Sequence, residues 1–359
     1  MKVLPAGKIP PSLLRRLLTS RDPSQRDSSL IVGPGIGLDA AAVRLGDRCL
    51  VLKTDPITFV ADDIGTYALT INANDLATMG ARPRWFLATV LLPAGRATEA
   101  SMARLFGQLA TACRRLRVTL CGGHTEITDA VTRPVVVGCL IGECERGRPI
   151  TSAGAEVGDA LLLTKGIPIE AVSILARERE RELAGRYPAG FVARCRRYLR
   201  EPGISVVRDA QLALASGGVH AMHDPTEGGL SAALYELAEA SGTGVLVEEQ
   251  AIRILPEGAR LCADLGLNPL GAIASGALLI SAEPGQAPKI LRRLARAGIP
   301  ATRIGTVVPL RRGVRLVTRD GAVRPMPRFR VDELARFLRA DQNFSEGVGD
   351  GELPVSTVR

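Results

Sequence analysis

Three groups of residues in this chain have the types and spacing for chemistry. The first is acidic. Asp39 stands in a Gly-rich stretch, IVGPGIGLDAAA (31–42), Asp55 closes the run CLVLKTD, and Asp75 lies in NANDLATMG, with Asn72 three residues before it. Residues three apart on a helix share a face. Carboxylates displayed from a turn, a strand end and a helix are hard oxygen donors, the kind that hold Mg²⁺ together with substrate phosphates. Lys53, two residues before Asp55, is placed either to touch such a phosphate or to sit as a solvated strand residue. Singly, each Asp reads as the cap of a helix or turn, and Asp62 and Asp63 read only as helix N-caps.

The second group is C-G-G-H-T-E, Cys121–Glu126. Gly122 and Gly123 permit close backbone approach to a ligand. His124 and Glu126 offer a base, a proton donor or a metal ligand. Cys121, His124, Cys139 and Cys144 also form a C-x₂-H-x₁₄-C-x₄-C series, whose gaps do not match structural zinc sites. The third group is D-P-T-E-G-G-L, Asp224–Leu230, preceded by His223. Thr226 is positioned to cap a helix, and Gly228 and Gly229 leave backbone N–H groups free at its start, a ready anion site. A capping box that merely starts a helix is the plainer alternative.

The elements that must position these groups alternate between strand and helix. A short helix is expected over 12–19, strands over 42–45 and 49–54, and a helix over 63–79 that Gly80 closes. A buried strand follows at 85–92 and an amphipathic helix at 99–115. Strands are expected at 118–121 and 135–141, with a Gly-rich turn, 122–129, between them. The phrase EVGDALLLTKGI (156–167) opens a second domain, with the boundary between Thr151 and Gly158. Helices dominate to residue 199, and the charge-rich run 177–200 reads as a solvated helix face. Helices at 206–214, 230–240 and 290–297 and strands at 245–248, 277–280 and 301–307 complete the pattern, which is that of α/β or α+β domains. The expected organisation is an extension (1–30), a first domain (31–150), a second (151–335) and a mobile tail (336–359).

Length and composition narrow the function. A chain of 359 residues suffices for two domains with sizeable cores. At 46% hydrophobic it is not largely disordered. With 3% aromatic residues it lacks stacking platforms for single-stranded nucleic acid. The net charge of +9 reads as abundant Arg interspersed with acids, so nucleic acid is not the expected partner. Seven cysteines in a long chain, and no apolar run of membrane-spanning length, point to a reducing cytoplasm and no membrane.

Taken in order, GLDAA, KTDP, NANDLATMGARP, GGHTE, GD-x-LLLTKGI, PGISVVRDA and HDPTEGGL resemble the aminoimidazole ribonucleotide synthetase superfamily over about residues 30–310. NDLATMGARP and HDPTEGGL are most similar to its hydrogenase-maturation carbamoyl dehydratase type. The resemblance implies an α+β, two-domain subunit. Its N-terminal sheet would form a barrel across a homodimer, and a mixed C-terminal sheet with helices would close an ATP and Mg²⁺ cleft. It further implies transfer of phosphate from ATP to an oxygen, of amide or carbamoyl type, on a small acceptor, with ADP released, and a possible maturation partner protein. By position, Asp39, Asp55 and Asp75 match the metal-coordinating acids. Asp75, His124 and Glu126 are the catalytic candidates. Lys53, Asn72, Gly122, Gly123, Asp224, Thr226, Gly228 and Gly229 are the nucleotide-binding ones. Lys8 is a candidate flap toward the phosphates.

The chain departs from the family in three places. Leu38 stands where many members have Asp, and His124 where an acid is usual, with Glu126 two residues on as a substitute. Neutral His is a poor Mg²⁺ ligand. The sequence ends Val355–Arg359 without the terminal Cys of the dehydratases, so cyanation on its own terminal thiolate is not expected. The alternatives are a thiamine-monophosphate-kinase-like phosphotransferase or a nucleotide-binding accessory protein without turnover.

Overall fold

The computed structural model describes residues 9, 11–19, 27–144 and 148–346. The N-terminal half runs α1 (Pro11–Thr19), β1 (Leu30–Val32), β2 (Ala41–Leu45), β3 (Arg48–Ile57), α2 (Ile64–Thr78), β4 (Ala81–Pro93), α3 (Glu99–Leu116), β5 (Thr119–Thr128) and β6 (Val135–Cys144). Its six strands order as β1-β2-β3-β6-β4-β5, antiparallel except for the parallel β4–β5 pair. Alternate residues of β3 and β6, such as Val51, Val136 and Leu140, are buried. α2 lies on that face, and every residue of it but Thr66 is buried. Gly65 lets α3 approach, since a Cβ there would stand 2.9 Å from Leu105 O. The other face of the sheet, with Leu50, Leu52, Val137 and Leu91, is half exposed.

The C-terminal half runs β7 (Ala160–Thr164), α4 (Glu170–Glu178), α5 (Glu180–Arg186), α6 (Ala189–Arg197), α7 (Val207–Leu214), β8 (Val219–His223), α8 (Gly229–Ser241), β9 (Gly244–Glu248), α9 (Pro256–Asp264), β10 (Leu279–Ala282), α10 (Ala287–Arg296), β11 (Ala301–Val308), β12 (Val314–Val317), β13 (Val323–Pro325) and α11 (Glu333–Glu346). Its seven strands order as β13-β12-β9-β11-β7-β10-β8, and β12–β9 is the parallel pair. β7, in the middle, is buried along its whole length and apolar up to Thr164, as a strand covered on both faces must be. One apolar core runs from α2 and the first sheet into α4, α7 and β10, so the two halves pack against each other. A second core lies beneath α8. The architecture is the expected mixed α+β fold with two sheets.

Several expectations are corrected. The Gly-rich turn at 122–129 is not a turn: β5 continues to Thr128 as an exposed edge strand. Gly123 has φ +146°, and a Cβ there would lie 2.0 Å from Ala88 O, so the glycine serves strand–strand approach rather than a ligand. Asp63 does take the N-cap position of α2, but with φ 59° and no side-chain cap bond. Its carboxylate instead meets Arg177 at 3.1 Å, and Asp62 pairs with Arg196 at 3.0 Å. Arg177 is therefore not part of a solvated face. Its side chain is buried, and it donates to Ser173 O and Arg196 O. β8, α9, β12, β13 and α11 fall where the sequence suggested no element. Of the expected tail, 336–346 belongs to α11, while 347–359, like Lys8, lies outside the described residues.

Candidate metal and nucleotide site

Four acids converge where the two halves meet. Asp39 comes from the loop before β2, Asp55 from β3, Asp75 from α2 and Asp224 from the residue after β8. Lys53 Nζ sits 2.9 Å from Asp75 Oδ2 and 3.9 Å from Asp55 Oδ2. Burial opposes the Lys53 charge, but Asp75 and Asp55 overcome it and raise its pKa. Lys53 is thus a partner of the acids, not a solvated strand residue. Burial pushes Asp75 up to about 6, with Lys53 pulling it down and Asp39 and Asp55 adding to the rise. Asp224 is 1% exposed. Burial, then Asp75 and Asp39, push its pKa well above the ordinary carboxylate value.

The hydrogen-bond accounting of these acids carries the chemical argument. Oδ2 of Asp75 has Lys53 Nζ at 2.9 Å, whereas both carboxylate oxygens of Asp224 are buried without a hydrogen-bond partner among the described residues. So is Oδ1 of Asn72, whose amide donates to Ala68 O at 2.8 Å and reaches Asp55 O at 3.5 Å. Buried carboxylate oxygens left unsatisfied cost several kcal/mol unless a cation or protons neutralise them. A set of hard oxygens of this kind fits Mg²⁺. One atom each of Asp39, His223 and Asp224 lie within 4.8 Å of one another.

His223, singled out only as the neighbour of Asp224, is central. Nδ1 lies 2.8 Å from Asp39 Oδ1, and Nε2 lies 2.8 Å from Glu236 Oε2 on α8. Burial works against a charged ring, yet the Asp39 and Glu236 carboxylates hold its pKa well above the usual histidine value. With both nitrogens engaged, it clamps Asp39 instead of offering a lone pair. Thr78 Oγ1 donates to Asp39 Oδ2 at 2.9 Å and completes the grip. Glu170, the first residue of α4, was absent from the sequence reading. It is buried, its Oε2 has no partner among the described residues, and burial pushes it to about 8, partly offset by the Ser275 hydroxyl. Nothing in the motif IPIEAV distinguishes it from a first-turn helix acid.

The α8 N-terminus differs from the expected open anion site. Gly228, with φ 83°, is the N-cap, not Thr226, and the Gly228 N–H donates to Asp332 Oδ2 at 2.7 Å. A carboxylate of the chain itself fills that place. Gly229 is needed because a Cβ would meet Leu270 O and Ala272 O at 2.7 and 2.6 Å.

The second sequence group does not join the first within one chain. Asp55, Gly138, Ala88 and Gly123 pair in register across four strands, which places Gly123 roughly 14 Å from Asp55. His124 and Glu126 alternate to the other face of the sheet, away from α2. They are 67% and 52% exposed, and the two side chains approach to 3.7 Å. Cys121 is exposed and Cys139 half-buried, and the zinc series forms no metal-ligand group among the described residues.

Comparison with known proteins follows this geometry. Residues 37–144 match the family model for the AIR synthase related protein N-terminal domain, and 156–317 that for its C-terminal domain. A selenide, water dikinase of Nitratidesulfovibrio vulgaris is 30% identical over 88% of this chain and 96% of its own length. The carbamoyl dehydratase HypE of Cupriavidus necator is 29% identical over 83% of this chain and 84% of its own. Among solved structures, the hydrogenase maturation protein HypE in complex with ATP aligns with TM-score 0.68 at 24% identity. That alignment covers 89% of this chain and 91% of the other. The hydrogenase-maturation likeness read from the motifs is borne out, as is the two-domain fold.

Proposed function

The chain belongs to the AIR synthase related family, and on that premise we propose that it is an ATP- and Mg²⁺-dependent enzyme that phosphorylates an oxygen of a small acceptor and releases ADP. The observation that carries the reading is the buried Asp224 carboxylate, whose two oxygens lack hydrogen-bond partners among the described residues, next to the Lys53–Asp75 pair. Asp39, Asp55, Asp75 and Asp224 would hold Mg²⁺, which supplies neutralisation of the triphosphate charge. Lys53 sets the charge balance of Asp75 and Asp55. The His223 clamp fixes Asp39, and Asn72 ties α2 to β3 beneath the acids. The phosphorylated oxygen is of amide or carbamoyl type, the chemistry named for the HypE relative.

The half-exposed face of the first sheet is proposed as the homodimer interface. Across it, a partner would present its own His124 region to this chain. We further propose Gly122 and Thr226 as parts of the nucleotide cleft, a maturation protein as partner, and the cytoplasm as the compartment. No helix among the described residues is long and apolar enough to cross a membrane. A second reading, a nucleotide-binding protein without turnover, is favoured by one observation: His124 and Glu126 face away from the acids in the single chain.

The test is calorimetry of the full chain with Mg-ATP, with and without Mg²⁺, joined to ADP release over a pool of amide, carbamoyl and phosphate acceptors. Binding should need Mg²⁺. Asp75→Asn and Asp224→Asn should each weaken it by at least about tenfold and slow ADP release by about a hundredfold or more. Mg²⁺-independent binding, or full activity in both variants, would overturn the reading. Binding without acceptor-dependent turnover would favour the second.

A further inference from the structure

The positive charge of this protein is concentrated. Residues 284–339 contain 14 basic and three acidic side chains, a net of +11, against +9 for the entire chain. All the rest is slightly acidic. Within that stretch β12 and β13 form one edge of the second sheet, and a strap from Met326 to Asp332 then runs beside α8. The strap is anchored from the α8 side: Tyr235 donates to Met326 O at 2.8 Å, Ser231 Oγ to Pro327 O, and the Gly228 N–H to Asp332. These bonds anchor the strap against α8, while Arg328 and Arg330 along it stay exposed. Arg328, Arg330 and Arg336 are exposed and Arg339 half-exposed, and together with Phe329 and Val331 they line a groove of about 490 Å³. Arg324, on the exposed β13, continues the charge along the sheet edge.

Glu333 is the carboxylate that lines this groove among the described residues. Arg336 pairs with Glu333 at 2.9 Å and Arg324 with Asp320 at 3.8 Å. Arg328 lies over the Tyr235 ring, 3.7 Å from its centroid. Arg328 and Arg330 have no carboxylate within salt-bridge reach among the described residues. Exposed guanidinium groups held on a rigid strap are poised for carboxylates, which they bind in pairs of parallel hydrogen bonds.

We propose that this groove is a docking surface for an acidic segment of a partner protein. Its dimensions and lining favour protein over nucleic acid. A groove of this volume admits side chains and not a duplex. A single strand would need bare aromatic faces. Here the Tyr235 ring is covered by Arg328, and the Phe329 ring lies on the Gly271 backbone, where a Cβ would stand 2.5 Å from it. Arginine beside an apolar floor suits carboxylates carried among aliphatic residues. The strap's contact with Gly228 puts the partner next to the 224–229 loop, one step from the acid cluster.

The test uses the full chain and a short fluorescein-labelled peptide repeating Glu-Ala-Glu-Leu, with a DNA duplex and a single strand of similar length as rivals. Anisotropy titrations at about 0.1 M salt should show the peptide binding more tightly than either DNA, and weakening as salt rises. Arg328→Glu with Arg330→Glu should weaken peptide binding at least about tenfold. Arg328→Lys with Arg330→Lys should lose only part of it. Arg292→Glu with Arg296→Glu, on exposed α10 outside the groove, should change it less than about twofold. These positions are exposed, so thermal midpoints should stay within a few degrees. Absence of peptide binding, equal loss in the α10 pair, or tighter DNA binding that the strap variant abolishes would each overturn the proposal.

Discussion

At the residue scale the site is defined by what its polar atoms lack. Asp224 and Glu170 are buried carboxyls, with both oxygens of Asp224 and Oε2 of Glu170 left without a hydrogen-bond partner among the described residues. Such groups couple folding to pH. The Glu170 pKa is raised to about 8 from an ordinary value near 4.5. Its contribution to stability is therefore complete below the ordinary value and is lost as pH rises through 8. Glu170→Gln removes that dependence. The stability of the variant relative to the parent should rise by on the order of 2 kcal/mol between pH 5 and pH 9. Calorimetric melting in metal-free buffer checks it. Parallel melting curves across that range would show that Glu170 does not titrate there.

At the element scale, α2 is the organising piece. It is buried on nearly every side, and it carries Asn72 and Asp75 to the junction of the two halves. Asn74, on the same helix, donates to Ile204 O and accepts from the Val206 N–H, tying the N-terminal half to the loop before α7. β5 is the vulnerable element: it pairs on one side only and depends on Gly123. Gly123→Ala would drive a Cβ into Ala88 O at 2.0 Å with φ at +146°. It should cost about 3 kcal/mol or more, read as a lowered denaturant midpoint. Gly107→Ala, on α3 with nothing within 4 Å of its Cβ, should instead stabilise by about 0.5–1 kcal/mol. Destabilisation by both, or by neither, would mean that these approaches do not govern stability.

At the scale of the whole molecule, the unfinished surface is the outer face of the first sheet. Leu50, Leu52, Leu91 and Val137 are half exposed there, while the opposite face is sealed by α2. An apolar sheet face left half exposed is the surface on which the proposed homodimer would form. If the proposed homodimer forms through this face, Leu52→Glu should shift the protein toward monomer in sedimentation velocity and reduce ADP release in parallel. A dimer unaffected by Leu52→Glu would exclude that face.

The sequence by itself determined the alternation of strand and helix, the acids Asp39, Asp55 and Asp75, and the family likeness. These are legible because turn glycines, helical spacing and charged motifs are local properties of the chain. The tertiary structure decided the rest. It brought Asp224 and Lys53 into the acid cluster, made His223 a clamp and buried Glu170. It filled the α8 N-terminus with Asp332, 104 residues away from Gly228, and turned His124 and Glu126 to the far side of a strand. The physical reason is the same in each case. Whether a side chain is satisfied, desolvated or aimed at a neighbour depends on groups distant in sequence. A strand's period of two assigns each residue to a face only once its register with the neighbouring strand is set.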